Sequence, residues 1–493
     1  MQHFDVIIIG AGLSGIGAAR QLQDRCPGRT FAILESRDAI GGTWDLFRYP
    51  GIRSDSDMYT MGYDSKPWLE PKAIADGPSI LAYIREAARE RGIDEAIHFD
   101  RRLVAADWSS REACWTLTAE CPRAGGHVRY RCNMLLMCSG YYRYDQGHRP
   151  HFDGEAHFGG RIVHPQHRPA DLDCAGKRIV VIGSGATAMT LVPALARTAA
   201  HVTMLQRSPT YVVSLPGEDP IARWLSRLLP APLAYRLTRW KNVQFQRWVY
   251  RQTRTRPEAV KRKLIDLVRR QLGPSYDVDR HFTPRYMPWD QRLCVVPDGD
   301  LFKALRSGKA DVVTDEIAQV DAAGLVLKSG ARLDADVIVT ATGLELLWLG
   351  GAQFSLDGTP VDFSRCWSYK GAMFSDVPNL VYTLGYINAS WTLRSELVAE
   401  FACRLINHMA ATGTRQCTPR LRPEDRDMPE RPLIDGFTPN YLKRVAHLFP
   451  HQGDRDPWQN TQNYVVDRKV IREGTLDDGV LQFTAPVIEG RTA

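Results

Sequence analysis

The pattern of strand, glycine turn and helix occurs twice in this chain, and the repetition constrains the fold more than any other feature. The first copy is Gly10-x-Gly12-x-x-Gly15, set between an apolar run at residues 5–9 and a helical stretch reaching residue 23. In such a turn the first glycine permits the tight bend and the second lets backbone approach a pyrophosphate. The third lets helix and strand pack closely. The free N–H groups at the helix start then hold the phosphate charge. Glu35 ends the next strand, residues 31–34, where a carboxylate can accept from ribose hydroxyls. The second copy is Gly183-x-Gly185-x-x-Ala188, after an apolar strand at 179–182. Its next strand, 201–205, leads into Gln206-Arg207-Ser208 rather than an acid. A carboxylate there would repel a 2′-phosphate, whereas an arginine and a hydroxyl bind one, so the second site reads as one for NADPH. Two dinucleotide sites in one chain imply electron transfer between cofactors, and FAD with NADPH is the economical pairing. Ala341-Thr342-Gly343, after a strand at 337–339, is a weaker third mark of this architecture.

The expected fold class is α/β, with two Rossmann-like dinucleotide-binding domains (FAD and NADPH) and a helical insert. A length of 493 residues fits such a multidomain chain. The expected FAD-binding domain takes residues 1–150 and, with the C-terminal segment, 341–493. The NADP-binding domain takes 151–215 and 291–340, and the insert takes 216–290. The ten cysteines include no C-x-x-C pair and no cluster at metal-ligand spacing. That argues against a dithiol reductase centre, a disulfide framework or a metal site, and for a reducing cytoplasm. No signal peptide or membrane-spanning run is expected. The formal charge of +7 is unevenly placed. From Arg223 to Arg270 there are fourteen lysines and arginines against two acids, among Trp224, Trp240, Trp248 and Tyr250. The preferred reading is a solvated helical insert whose aromatics pack on the protein. The alternative is basic amphipathic helices in peripheral contact with anionic lipid. Nothing in the pattern points to nucleic acid.

Several longer motifs carry a family resemblance. Gly41-Gly42-Thr43-Trp44 and Arg48-Tyr49-Pro50-Gly51-Ile52-Arg53-Ser54-Asp55 resemble the flavin-side signature of class B flavoprotein monooxygenases. Phe158-x-Gly160-x-x-x-His164-x-x-x-Arg168-Pro169 is similar to the Baeyer–Villiger fingerprint, with Arg168 where that pattern expects tryptophan. Gln206-Arg207-Ser208-Pro209-Thr210-Tyr211, Pro288-Trp289-Asp290-Gln291-Arg292 and Gly385-Tyr386-Ile387-Asn388-Ala389-Ser390-Trp391 resemble the thioamide-prodrug-activating (ethionamide-activating) subgroup.

The resemblance implies site residues by position. Gly10, Gly12, Ser14, Gly15, Glu35, Thr43, Trp44, Asp45, Leu46, Asp55 and Leu103 would serve FAD, and Arg53, Ser54 and Asp55 the nicotinamide side. Gly183, Ser184, Gly185, Ala186, Thr187, Ala188, Met189, Arg207 and Ser208 would hold NADP. Arg292 would sit over the flavin, oriented by Asp55. The implied reaction inserts one oxygen of O2 into a small lipophilic ketone, giving an ester or lactone through a C4a-peroxyflavin. A fixed guanidinium suits the negative charge that develops there. Sulfides or thioamides are expected as further substrates, and the rival reading is a flavin S/N-monooxygenase without ketone activity. His164, in a Pro-rich linker, reads as structural. Residues 388–390 open a helix whose N-terminus would favour an anionic flavin, with Ser390 as a simple N-cap.

Overall fold

The computed structural model describes residues 1–169, 171–437 and 439–485, and the repeated unit is present as two parallel sheets. β1 (Gln2–Ile9) is exposed at its first residues and buried from Val6 onward. Its last four residues are therefore all apolar, as a strand covered on both faces requires. It pairs in parallel with β2 (Phe31–Leu34) and with β3 (His127–Met137), Val6 standing opposite both Phe31 and Met134. α1 (Leu13–Arg25) makes the crossover from β1 to β2. β3 starts seven residues before the expected apolar run at 134, because its first half pairs antiparallel with Cys114–Glu120, exposing alternate residues. Distant segments complete this sheet. Leu380–Tyr382 adds in parallel to β3, and Gln353–Leu356 adds to Arg102–Ser109.

The second sheet is wholly parallel. β4 (Arg178–Ile182) lies between β5 (His201–Gln206) and β6 (Val337–Thr340), with Ala310–Thr314 and Arg161–Val163 outside them. α2 (Ala186–Leu195) connects β4 to β5. The chain is thus an α/β protein with two Rossmann-like units. Arg53 ties them together, forming an ion pair with Asp300 and donating to the Met189 carbonyl at 3.5 Å.

Three helices follow the second sheet's first half: α3 (Pro220–Leu228), α4 (Ala231–Thr255) and α5 (Pro257–Leu272). The carboxylate of Asp219 caps α3 and pairs with Lys241 of α4 at 2.5 Å, which folds the two helices together. α4 is built inside out. Its buried face carries Tyr235, Thr238, Arg239 and Asn242 beside Ala234 and Val243. Those polar groups are satisfied: Arg239 donates to the Tyr59 and Gly62 carbonyls and pairs with Glu396 at 2.8 Å, and Asn242 donates to Asp57. The expectation that the insert's aromatics pack on the protein fails for three of the four. Trp224 on α3 is 60% exposed; Trp240 and Trp248 are 63% and 55% exposed, because hydrogen bonds to residues 57–62 claim the inner face of α4. Tyr250 packs edge-on against Trp289, whereas Trp248 stacks only on the exposed Phe245 of its own helix.

α6 (Trp391–Thr412) buries the expected Leu393, Leu397, Val398, Phe401 and Leu405. All ten cysteines are buried and unpaired. Among the described residues no helix is long and apolar enough to cross a membrane, and no side-chain cluster could hold a metal ion.

Candidate active site

The carboxyl ends of both sheets open on one cavity of about 890 Å³. Its wall takes Gly10 after β1, Glu35 after β2 and Ser139 after β3 from the first sheet. From the second it takes Ser184 after β4, Ser208 after β5 and Ala341 after β6. This crevice beyond the strand ends is where open α/β sheets bind ligands.

Three helices begin at this wall: α1 at Gly12, α2 at Gly185 and α6 between the lining residues Ala389 and Trp391. None has a side-chain cap, whereas Asp57, Asp76, Asp219 and Asp277 cap other helices through their carboxylates. Each uncapped start leaves N–H donors and the positive end of a helix dipole facing the cavity. No acid sits in the first turn of any of the three. The donor set of α1 and α2 thus fits two dinucleotide pyrophosphates. Ser390 is not the simple cap the sequence suggests; its hydroxyl bonds Thr60 instead.

The first glycine turn is held by close packing. Gly10 has φ +101°, and a Cβ on Gly15 would lie 1.9 Å from the Gly10 carbonyl oxygen. Glu35 is buried at the wall, with one oxygen accepting the Ala11 N–H at 2.7 Å and the other the Arg37 N–H at 2.9 Å. It therefore fixes the turn as well as facing the cavity. The indole of Trp391 donates to Ser14 Oγ at 2.8 Å and stacks on Tyr141, which joins α6 to the start of α1. In the second unit Ser184 Oγ donates to the Ser208 carbonyl at 3.0 Å, locking two adjacent turns.

Arg292 and Asp55, 237 residues apart, meet across the cavity in a two-pronged ion pair, Nε to Oδ2 at 2.6 Å and Nη2 to Oδ1 at 2.9 Å. The guanidinium lies deep in the protein but faces the open cavity, its side chain 39% exposed. The Asp55 carboxylate, with Tyr441, Tyr142 and Tyr141 beyond it, raises the arginine's affinity for its proton above the usual. Burial pushes the Tyr49 and Tyr144 hydroxyls up to about 12, so both are neutral hydrogen-bonding groups at the wall.

The geometry sorts the expected residues. Gly10, Gly12, Ser14, Glu35, Thr43, Trp44, Arg53, Ser54, Asp55, Leu103 and Arg292 line the cavity. So do Ser184, Gly185, Ala186, Thr187 and Ser208. Gly15 and Gly183 lie behind the turns, where a Cβ would strike backbone. Ala188 and Met189 are buried in the second unit's core. Leu46 is half-buried away from the wall, and Asp45 is buried with its carboxylate taken by Arg37, Arg48 and Arg85. Arg207 is exposed at the end of β5 beside Ser208, outside the cavity wall. In the linker, burial keeps His164 neutral, below the usual imidazole range. It donates from Nε2 to the Gly343 carbonyl at 3.1 Å and accepts the Gln166 N–H at Nδ1. Arg168 donates to the Leu172 carbonyl at 2.5 Å, within its own loop.

Sequence reasoning missed the tyrosines. Tyr141, Tyr142 and Tyr144 follow Ser139-Gly140 at the end of β3, so a strand end entering an aromatic run was the available signal. Tyr441 had none.

A family profile described as pyridine nucleotide-disulphide oxidoreductase matches residues 4–229. The FAD-containing monooxygenase EthA of Mycobacterium tuberculosis is 52% identical over 490 residues, covering 99% of each chain. An oxidized steroid monooxygenase bound to NADP shares the fold with TM-score 0.79 at 21% identity, covering 98% of this chain and 100% of its own. The ε-caprolactone-bound structure of cyclohexanone monooxygenase in the loose conformation gives TM-score 0.73 at 19% identity, with the same coverage. The chain belongs to the FAD-containing monooxygenases, in the class B flavoprotein group that includes EthA.

Proposed function

We propose that the chain is an NADPH-dependent Baeyer–Villiger monooxygenase that converts lipophilic ketones into esters or lactones and also oxidises sulfides or thioamides. The observation that carries this reading is the Arg292–Asp55 pair, a fixed cation facing a cavity edged by three uncapped helix starts. When bound, FAD supplies the activation of O2 and NADPH supplies the reducing electrons. Gly12 and Ser14 would hold one pyrophosphate, and Ser184, Gly185 and Ala186 the other, through bare N–H groups. Arg292 would meet the negative charge that builds on the carbonyl oxygen of a ketone. A guanidinium does so without losing its own proton. Asp55 aims it: a carboxylate that takes two of its N–H bonds fixes the plane of the fork. Oxygen transfer to a sulfur atom develops no such oxyanion, so a positioned arginine favours the ketone reading over an S/N-monooxygenase.

The test is product analysis of the FAD-loaded enzyme with NADPH, O2 and 2-dodecanone. The expected product is an ester, with a sulfoxide from an alkyl aryl sulfide in parallel. Sulfoxide without ester would leave the S-oxygenase as the reading.

Arg207 and Ser208 are proposed to receive the 2′-phosphate at the end of β5. A charge-assisted hydrogen bond is worth about 1.5–3 kcal/mol, so Arg207→Ala should raise the KM for NADPH by about 10- to 100-fold. The KM for NADH should hardly move. Equal changes for the two nucleotides would remove Arg207 from the phosphate site.

A further inference from the structure

Nine of the thirteen large apolar side chains exposed among the described residues lie on the helical insert. They are arranged rather than scattered. Ile221, Trp224 and Leu228 sit three and four residues apart on one face of α3. On α4, Leu233, Leu237, Trp240 and Trp248 recur at helical spacing on the side opposite Tyr235, Arg239 and Asn242. Soluble proteins rarely leave a continuous apolar stripe of this kind uncovered. The folding of α4 does not explain it either, since hydrogen bonds, not the stripe, fasten this helix to the protein.

The charges beside the stripe narrow what covers it. Arg236 and Arg247 are exposed along its edge and Arg251 at its C-terminal end, and none is ion-paired with a described residue. A helix with tryptophan and leucine on one face and arginine along the border is suited to lie in the plane of a membrane surface. The apolar side chains enter the acyl boundary, the indoles sit at headgroup level and the guanidiniums meet phosphates. A second copy of the chain fits less well, because a two-fold contact would set these arginines near their own counterparts.

We propose that the outward face of α3 and α4 docks the protein on an anionic lipid bilayer, with Trp224, Trp240 and Trp248 as anchors. The inner face of α4 holds residues 57–62, which continue directly from Ser54, Asp55 and Ser56 of the cavity wall. Docking would therefore bring that wall close to lipid. The proposal does not depend on which substrate is oxidised.

The experiment is flotation of the FAD-loaded protein with vesicles of phosphatidylcholine alone, or of equal parts phosphatidylcholine and phosphatidylglycerol. Binding to the anionic vesicles alone is expected, and it should be released by high salt. Each arginine at an anionic surface is worth about five-fold in affinity, so the triple variant Arg236→Gln, Arg247→Gln, Arg251→Gln should bind about 100-fold more weakly. The pair Trp240→Ser and Trp248→Ser should lose about ten-fold or more. Retained flavin and unchanged turnover of a water-soluble sulfide confirm that the variants are folded, because none of these side chains reaches the cavity. Equal binding to both vesicle types, no binding to either, or tryptophan variants that bind like the parent would each overturn the proposal. A dimer that the same tryptophan substitutions dissociate would overturn it in favour of a second copy.

Discussion

Replacing Arg292 by alanine is expected to slow ester formation from a long-chain ketone by about 10²–10³-fold, the usual cost of removing one preorganised donor from a developing oxyanion. Reduction of the flavin by NADPH should still proceed, since hydride transfer passes from nicotinamide to flavin and builds no oxyanion on the ketone. NADPH should still be consumed, with its electrons appearing as hydrogen peroxide. Arg292→Lys is not expected to rescue the reaction: an ammonium is a point charge and cannot make both bonds to Asp55 that hold the fork at 2.6 and 2.9 Å. Rapid-mixing absorbance combined with gas chromatography of the product separates the two half-reactions. Ester formation within about ten-fold of the parent would remove Arg292 from the oxyanion role.

Gly15→Ala should yield a chain that folds poorly and purifies without flavin. The added methyl would stand 1.9 Å from the Gly10 carbonyl oxygen and 3.1 Å from its carbon, so the turn and α1 must part. The neighbour is backbone, which cannot swing aside as a side chain would. Overpacking of this kind costs about 1–3 kcal/mol in stability. The larger effect falls on FAD, because the bare N–H groups of α1 shift relative to the pyrophosphate. Losing one or two charge-assisted bonds weakens binding by about 100-fold or more. Gly28→Ala is the control: its φ is +83° but nothing lies within 4 Å, so it carries backbone strain without touching the turn. That variant should melt earlier yet keep its flavin. Titration of stripped protein with FAD, read by flavin fluorescence, compares the two. Full flavin occupancy in Gly15→Ala would show that the turn tolerates separation.

The parts legible in the sequence were those fixed by neighbours in the chain. Gly10, Gly12 and Gly15 must serve one bend within six residues, and Glu35 is placed by the strand it ends. The pairing of Arg292 with Asp55 depends on how two units close on each other, and only the family resemblance led to it. Asp45 shows the converse: it stands directly after a motif, but three arginines satisfy its carboxylate away from the cavity. The insert's amphipathic pattern was readable, yet not which side turns inward. Apolar periodicity favours burying the tryptophans, and the hydrogen bonds of Arg239 and Asn242 to residues 57–62 decide otherwise. Tyr441 illustrates a site residue supplied by a single-turn helix, Asn440–Lys443, too short for periodicity to carry information.

The pairing of β3 with Leu380–Tyr382, Leu135 opposite Leu380, also decides which sheet can be completed first during synthesis. All five strands of the second sheet have left the ribosome once Thr340 has emerged, while the first sheet still lacks pieces from beyond residue 352. Domains fold as units as their sequence becomes available, usually from the N-terminus onward. Here the interrupting unit has its full set of strands available before the unit it interrupts. A nascent chain stalled between Thr340 and Leu380 would present a finished second sheet and an open edge on β3. That edge is the surface most in need of protection until synthesis ends.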